Sequence, residues 1–97
     1  MVAVFVLALE VDLHVPAAHS LKAKRAVVKP LVDGARHRFG VAAAEVEHHE
    51  LWQRAGLGYA VVAADQAHAS DVMDEVERFV WSHPEVEVVS MERRWLE

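Results

Sequence analysis

A chain of 97 residues, 54% of them hydrophobic and 26% charged, can bury one two-layer core but not a second, and has no room for a long disordered tail. The absence of cysteine excludes a disulfide framework, a thiolate metal site and thiol chemistry, and leaves the redox compartment open. The net charge of −5 argues against a nucleic-acid binder that works by bulk electrostatics, yet the charge is uneven: residues 20–40 hold Lys22, Lys24, Arg25, Lys29, Arg36 and Arg38 against Asp33, a local +5, while the remainder holds 4 bases against 14 acids, or −10.

In chain order, residues 2–13, VAVFVLALEVDL, form a continuous apolar run that alternates only after Leu9, which predicts a strand buried on both faces at its start. The run lacks a positive leading segment and acquires Glu10 and Asp12, so it does not read as a signal peptide, and it is too short to span a bilayer. A cytoplasmic protein with no membrane partner is expected. Residues 20–39 carry Leu21, Val27, Val28, Leu31, Val32, Ala35 and Phe39 at helical spacing, with Ser20 as N-cap, Gly40 as terminator and a kink at Pro30, which cannot donate to the carbonyl of Ala26.

Residues 41–49 and 57–64 read as two further strands joined through ELWQRAG. Ser70 or Asp71 signals a second helix, which carries Val72, Val76, Phe79 and Val80 on one face and stops at His83-Pro84. Residues 86–95 read as a last strand of mixed character. The order βαββαβ predicts a single α+β domain over 1–97: a ferredoxin-like two-layer sandwich with an antiparallel sheet, order 4-1-3-2, and both helices on one face.

The segments HSLKAKRAVVKPL at 19–31 and FGVAAAEVEHHELWQRAGLGYAVVAAD at 39–65 resemble the YlxP-like family of small bacterial proteins, and the likeness spans nearly the whole chain. The resemblance implies a ferredoxin-like fold, a bacterial cytoplasmic protein of unassigned role, and genes often placed beside those for translation initiation and ribosome maturation. It supplies no catalytic residues.

HSLKAKR sets cations at a helix start, where the helix dipole disfavours them by a few tenths of a kcal/mol each. The two helices are expected to start at one edge of the sheet, gathering His14, His19, Ser20, Lys22, Lys24 and Arg25 with Asp65, His68 and Ser70. Free N–H groups beside cations can hold an anion, so His19, Ser20, Lys22, Lys24, Arg25 and Lys29 form a candidate anion- or RNA-binding set, with ribosomal RNA or a translation factor as partner. The competing reading is a solvated basic face, or one that meets the acidic surface of another copy. The connection VPAAH contains no glycine cradle for a mononucleotide.

Glu45, Glu47 and His49 share one strand face, and Glu10, Asp12 and His14 another. The two triplets are expected at opposite ends of the sheet, and neither alone is compact enough for a metal, so solvated faces are predicted. Ser20, Ser70, Ser82 and Ser90 each have a structural role open to them, the carboxylates fall on open surfaces, and the chain reads as non-enzymatic with no cofactor. Phe5 in VFVLAL and Tyr59 in GLGYAV partly resemble the base-stacking strands of an RNA-recognition motif, but Ala55 and Leu57 stand where its basic and aromatic residues belong.

Strands one and three are apolar on both parities, which predicts an apolar open sheet face. That face is either Phe5, Leu7, Leu9, Leu57, Tyr59 and Val61 or the smaller set Val4, Val6, Ala8, Ala60 and Val62. A homodimer through it is expected.

Overall fold

The computed structural model describes residues 3–97, so Val2, the start of the predicted first strand, lies outside the described residues. The element order is β1 Phe5–His14, α1 Leu21–Phe39, β2 Ala42–Glu47, β3 Arg54–Ala63, α2 Gln66–Trp81 and β4 Glu87–Trp95. The sheet order β2-β3-β1-β4 is the expected 4-1-3-2 read from the other edge, and all three pairings are antiparallel.

Along β1 the odd residues Leu7, Leu9, Val11 and Leu13 are buried under the helices, while Val6, Ala8, Glu10 and Asp12 take the opposite face. Ser20, in extended conformation, accepts a hydrogen bond from the Ala23 N–H at 3.0 Å and starts α1. Gly40 ends it at φ 66, a left-handed conformation that suits glycine, and donates its N–H to Arg36 O. One helix continues through Pro30, because Val28, Leu31, Val32 and Ala35 bury its core stripe on either side of the missing hydrogen bond.

The second helix starts earlier than Ser70: Asp65 is its cap and accepts from the His68 N–H at 2.7 Å. Its first turn, Gln66, Ala67 and His68, is exposed and carries no apolar period. The two helices approach closely at Gly34, where a Cβ would stand 2.8 Å from Phe79 Cζ. Tyr59, from β3, crosses the core and donates its hydroxyl to Leu31 O at 2.8 Å.

Strand direction corrects two expectations. Because β1 and β3 are antiparallel, with Phe5 opposite Ala63 and His14 opposite Arg54, they end at opposite edges of the sheet. The helices that follow them therefore start at opposite edges, and Asp65, His68 and Ser70 do not join His14, His19, Ser20, Lys22, Lys24 and Arg25. By the same geometry β1 and β2 end at the same edge. The two carboxylate–histidine strands therefore meet there: His48 Nε2 lies 3.7 Å from Asp12 Oδ1.

Candidate functional site

The basic segment of α1 divides into an inward and an outward part. Lys24 is only 1% exposed, because it occupies the core stripe with Val28, Leu31 and Ala35 at i+4, i+7 and i+11. Its ammonium donates to His48 O at 2.9 Å and to His49 O and Arg54 O at 3.3 Å, and lies 2.9 Å from Glu45 Oε2. All of its charge is used inside the domain. Lys24 is thereby removed from the candidate anion-binding set; it is a clamp that ties the β2–β3 connection to the first turn of α1.

The other members of the set face outward. His19, Lys22, Arg25 and Lys29 are exposed, and Ser20 is occupied as the helix cap. At 100° per residue Lys22, Arg25, Lys29 and Arg36 fall on one flank of α1, a row of about 21 Å at the helical rise. Asp33 interrupts the row and pairs with Lys29 at 3.2 Å and with Arg36 at 3.4 Å. Both pairs are exposed and worth only a few tenths of a kcal/mol each, so either cation can exchange Asp33 for another anion. Arg38 leaves the row and stands over the Phe79 ring, 5.2 Å from its centroid.

The cationic flank forms one wall of a groove of about 350 Å³, with Val28 and Val32 below and Ala44 and Glu45 of the edge strand β2 opposite. Two carbonyls of that edge strand are already engaged by side chains. Arg36 Nη2 donates to Ala43 O at 2.5 Å, and His49 Nε2 lies 3.1 Å from Glu45 O. Beyond the groove the β2–β3 connection exposes Leu51 by 49% and Trp52 by 53%. The connection is fixed on both flanks: Val15 N–H donates to Gln53 O at 2.8 Å, Gln53 Nε2 to Pro16 O at 3.1 Å, and Leu51 N–H to His48 O at 3.0 Å, besides the three bonds from Lys24.

The open sheet face is the smaller of the two sets expected. Leu7, Leu57, Tyr59 and Val61 are buried beneath the helices, and Phe5 shares their parity and is half-buried, so none of the five lies on the open face, which carries Val4 and Val6 with Ala8, Ala60 and Val62. Tyr59 is likewise no platform for a base. Burial pushes its phenol above the ordinary value. Ala42, Ala60 and Ala8 stand in one row across the sheet, and Ala44, Gly58 and Glu10 in the next, which leaves a shallow depression of about 410 Å³ floored by small residues and edged by Val46. Val4, Val62 and Leu96 add exposed apolar surface.

Farther along the same face Glu10, Asp12, Glu47, Ser90 and Glu92 surround a second depression of about 350 Å³. Arg54 Nη2 bridges Asp12 Oδ2 at 2.5 Å, and Arg94 meets Glu10 at 3.2 Å. Among the described residues no three histidine and acidic side chains converge closely enough to hold a metal ion, although two of the strands that carry them end together.

The architecture and this distribution of side chains can be set beside known proteins. A family model described as "Protein of unknown function (DUF503)" matches residues 6–93. The chain belongs to the DUF503 family. The uncharacterized protein YlxP of Bacillus subtilis (strain 168) is 32% identical over 78 residues, which cover 80% of this chain and 85% of that protein. The resemblance carried by the 19–31 and 39–65 segments is therefore borne out, and the matched stretch of this chain spans α1 and the β2–β3 connection. No described helix is long and apolar enough to cross a membrane.

Proposed function

We propose that this DUF503 protein is a non-enzymatic, cytoplasmic binding module accessory to translation or ribosome function, which docks RNA phosphates on the outward flank of α1. The observation that carries the reading is the exposure of Lys22, Arg25 and Lys29 on one side of a helix in a chain of net charge −5. A polyanion is repelled by the acidic remainder and attracted by that one flank, so it is oriented as well as held. The residues supply point charges and no enclosed cage, which favours a backbone of repeated phosphates over a single nucleotide.

The test is RNA binding measured across a salt series with the Lys22→Gln, Arg25→Gln, Lys29→Gln triple variant. Wild-type affinity should fall steeply with salt, and the variant should bind more weakly with a shallower dependence, by up to about two in the logarithmic slope for a single strand. Lys24 is left intact, since replacing it would test the fold instead. Absence of any wild-type association at low salt overturns the proposal.

The small-residue floor of the open sheet face favours a second, compatible reading, self-association. Ala8, Ala42, Ala44, Gly58 and Ala60 allow the close approach of a second sheet, while Glu10 and Glu92 lie toward one end where they need not be covered. A two-fold dimer through the Val6, Ala8, Ala60 and Val62 surface would cover the exposed apolar side chains. Should dimerisation occur without RNA binding, the protein is a structural homo-oligomer with no nucleic-acid partner.

A further inference from the structure

We infer that the ligand of the α1 flank is single-stranded nucleic acid and that Trp52 is a stacking platform for one of its bases. The inference rests on the phosphate-docking reading above and adds to it a second kind of contact. Single-strand binders combine a cationic groove that follows the backbone with an aromatic side chain on which a base lies. Both parts occur here on consecutive segments of the chain. Arg25, Lys29 and Arg36 line the groove between α1 and β2, and the chain leaves β2 directly into the connection that displays Trp52.

Lys24 brings the two parts together. Its ammonium holds the carbonyls of His48, His49 and Arg54, which bracket Leu51 and Trp52, and it belongs to the same helical turn that projects Lys22 and Arg25 outward. The indole is thus carried on a connection pinned at both ends, and little ordering remains to oppose stacking. An indole left 53% exposed on such a support gains more from a flat apolar partner than a mobile one would. The acids that line the groove are Asp33, paired with Lys29 and Arg36, and Glu45, paired with Lys24.

The edge of β2 argues for a nucleic acid over an extended peptide. A peptide that enters such a groove gains affinity by adding a strand to the edge. Here the carbonyls of Ala43 and Glu45 already meet Arg36 and His49, so two acceptors that an added strand would use are taken where the groove runs. Duplex RNA presents no free base face to the indole, so the preference is for a single strand.

The experiment uses the full chain with Trp81→Phe and Trp95→Phe, which leaves Trp52 as the only tryptophan, titrated with a single-stranded RNA of mixed sequence and with the duplex of the same sequence. Quenching of Trp52 by the single strand and weaker binding of the duplex are expected. In the otherwise native protein, Trp52→Ala should weaken single-strand binding by about 5- to 150-fold with an unchanged salt slope, and Trp52→Phe should keep most of the affinity. Unquenched Trp52 fluorescence, or equal binding by wild type and Trp52→Ala in a protein whose binding still depends on Lys22, Arg25 and Lys29, overturns the stacking role and leaves phosphate docking standing. Failure of wild type to bind either nucleic acid at low salt overturns both.

Discussion

Replacement of Lys24 by methionine isolates the charge of the clamp, because methionine keeps much of the length and apolar stem and removes only the ammonium. The Glu45 carboxylate then loses its cation at 2.9 Å and the carbonyls of His48, His49 and Arg54 each lose a donor, His48 O keeping the Leu51 N–H at 3.0 Å. Breaking a buried ion pair from one side typically costs about 3–5 kcal/mol, since the remaining charge stays desolvated. Glu45 retains 20% side-chain exposure and can regain some water, which lowers the expected loss to about 2–4 kcal/mol. That is a large part of the stability of a small domain and corresponds to a fall of roughly 10–25 °C in Tm. Urea unfolding followed by far-ultraviolet dichroism measures it. Adding Glu45→Gln to Lys24→Met should recover at least about 1 kcal/mol, the signature of a coupled pair. A Lys24→Met protein within about 0.5 kcal/mol of wild type would behave as a surface substitution and refute the clamp.

Three other outcomes follow from the packing. Val6→Lys, on the open sheet face, should leave a folded protein that sediments as a monomer where wild type sediments as a dimer, whereas Leu7→Lys, 1% exposed beneath the helices, should unfold the domain; a stable wild-type monomer at high micromolar concentration would end the dimer proposal. Asp65→Ala removes the α2 cap and should cost about 1 kcal/mol in urea unfolding, while Ser70→Ala, which caps nothing, should cost markedly less. Burial raises the phenol pKa of Tyr59 in the folded state above the unfolded value near 10, so folded protein keeps a proton that unfolded protein gives up; its contribution to stability should be level below about pH 10 and fall above it, and Tyr59→Phe should make the alkaline decline shallower.

How far the sequence discloses this molecule depends on whether a feature is local or directional. Ser20 and Gly40 bound α1 as their chemistry predicts, and the two-parity apolar runs of β1 and β3 disclose an open face that carries apolar residues. The start of α2 is hidden because its first turn is solvent-exposed, although Asp65 three residues before the bonded His68 N–H is itself a cap signal. The meeting of β1 and β2 at one edge needs no side-chain information, only the alternation of direction across adjacent antiparallel strands. Lys24 is the instructive case: its residue type argues for the surface, but its spacing from Val28, Leu31 and Ala35 places it on the buried stripe. Periodicity prevails over residue type there because the β2–β3 connection supplies acceptors for the ammonium. Which parity of the sheet lies under the helices is decided by size, since Leu7, Leu9, Leu57 and Tyr59 fill an interlayer space that Ala8, Gly58 and Ala60 cannot.

The two layers also separate the two proposed interfaces. The helices cover the odd-residue face of β1, so a dimer formed through Val6, Ala8, Ala60 and Val62 buries the opposite face and leaves both α1 flanks on its outer layers. Self-association and phosphate docking then meet only at the β2 edge, where Ala44 borders both surfaces, and the cations of the α1 flank stay outside the dimer face. A short single strand cannot reach from one groove to the other across two helical layers and two sheets, so each subunit should bind its own strand, and dimerisation should leave the affinity for a short oligonucleotide unchanged. A long strand that can loop between the grooves gains from the second as an effectively intramolecular contact. Val6→Lys should accordingly weaken binding of long single strands while leaving short ones unaffected, whereas the Lys22, Arg25 and Lys29 replacements should weaken both.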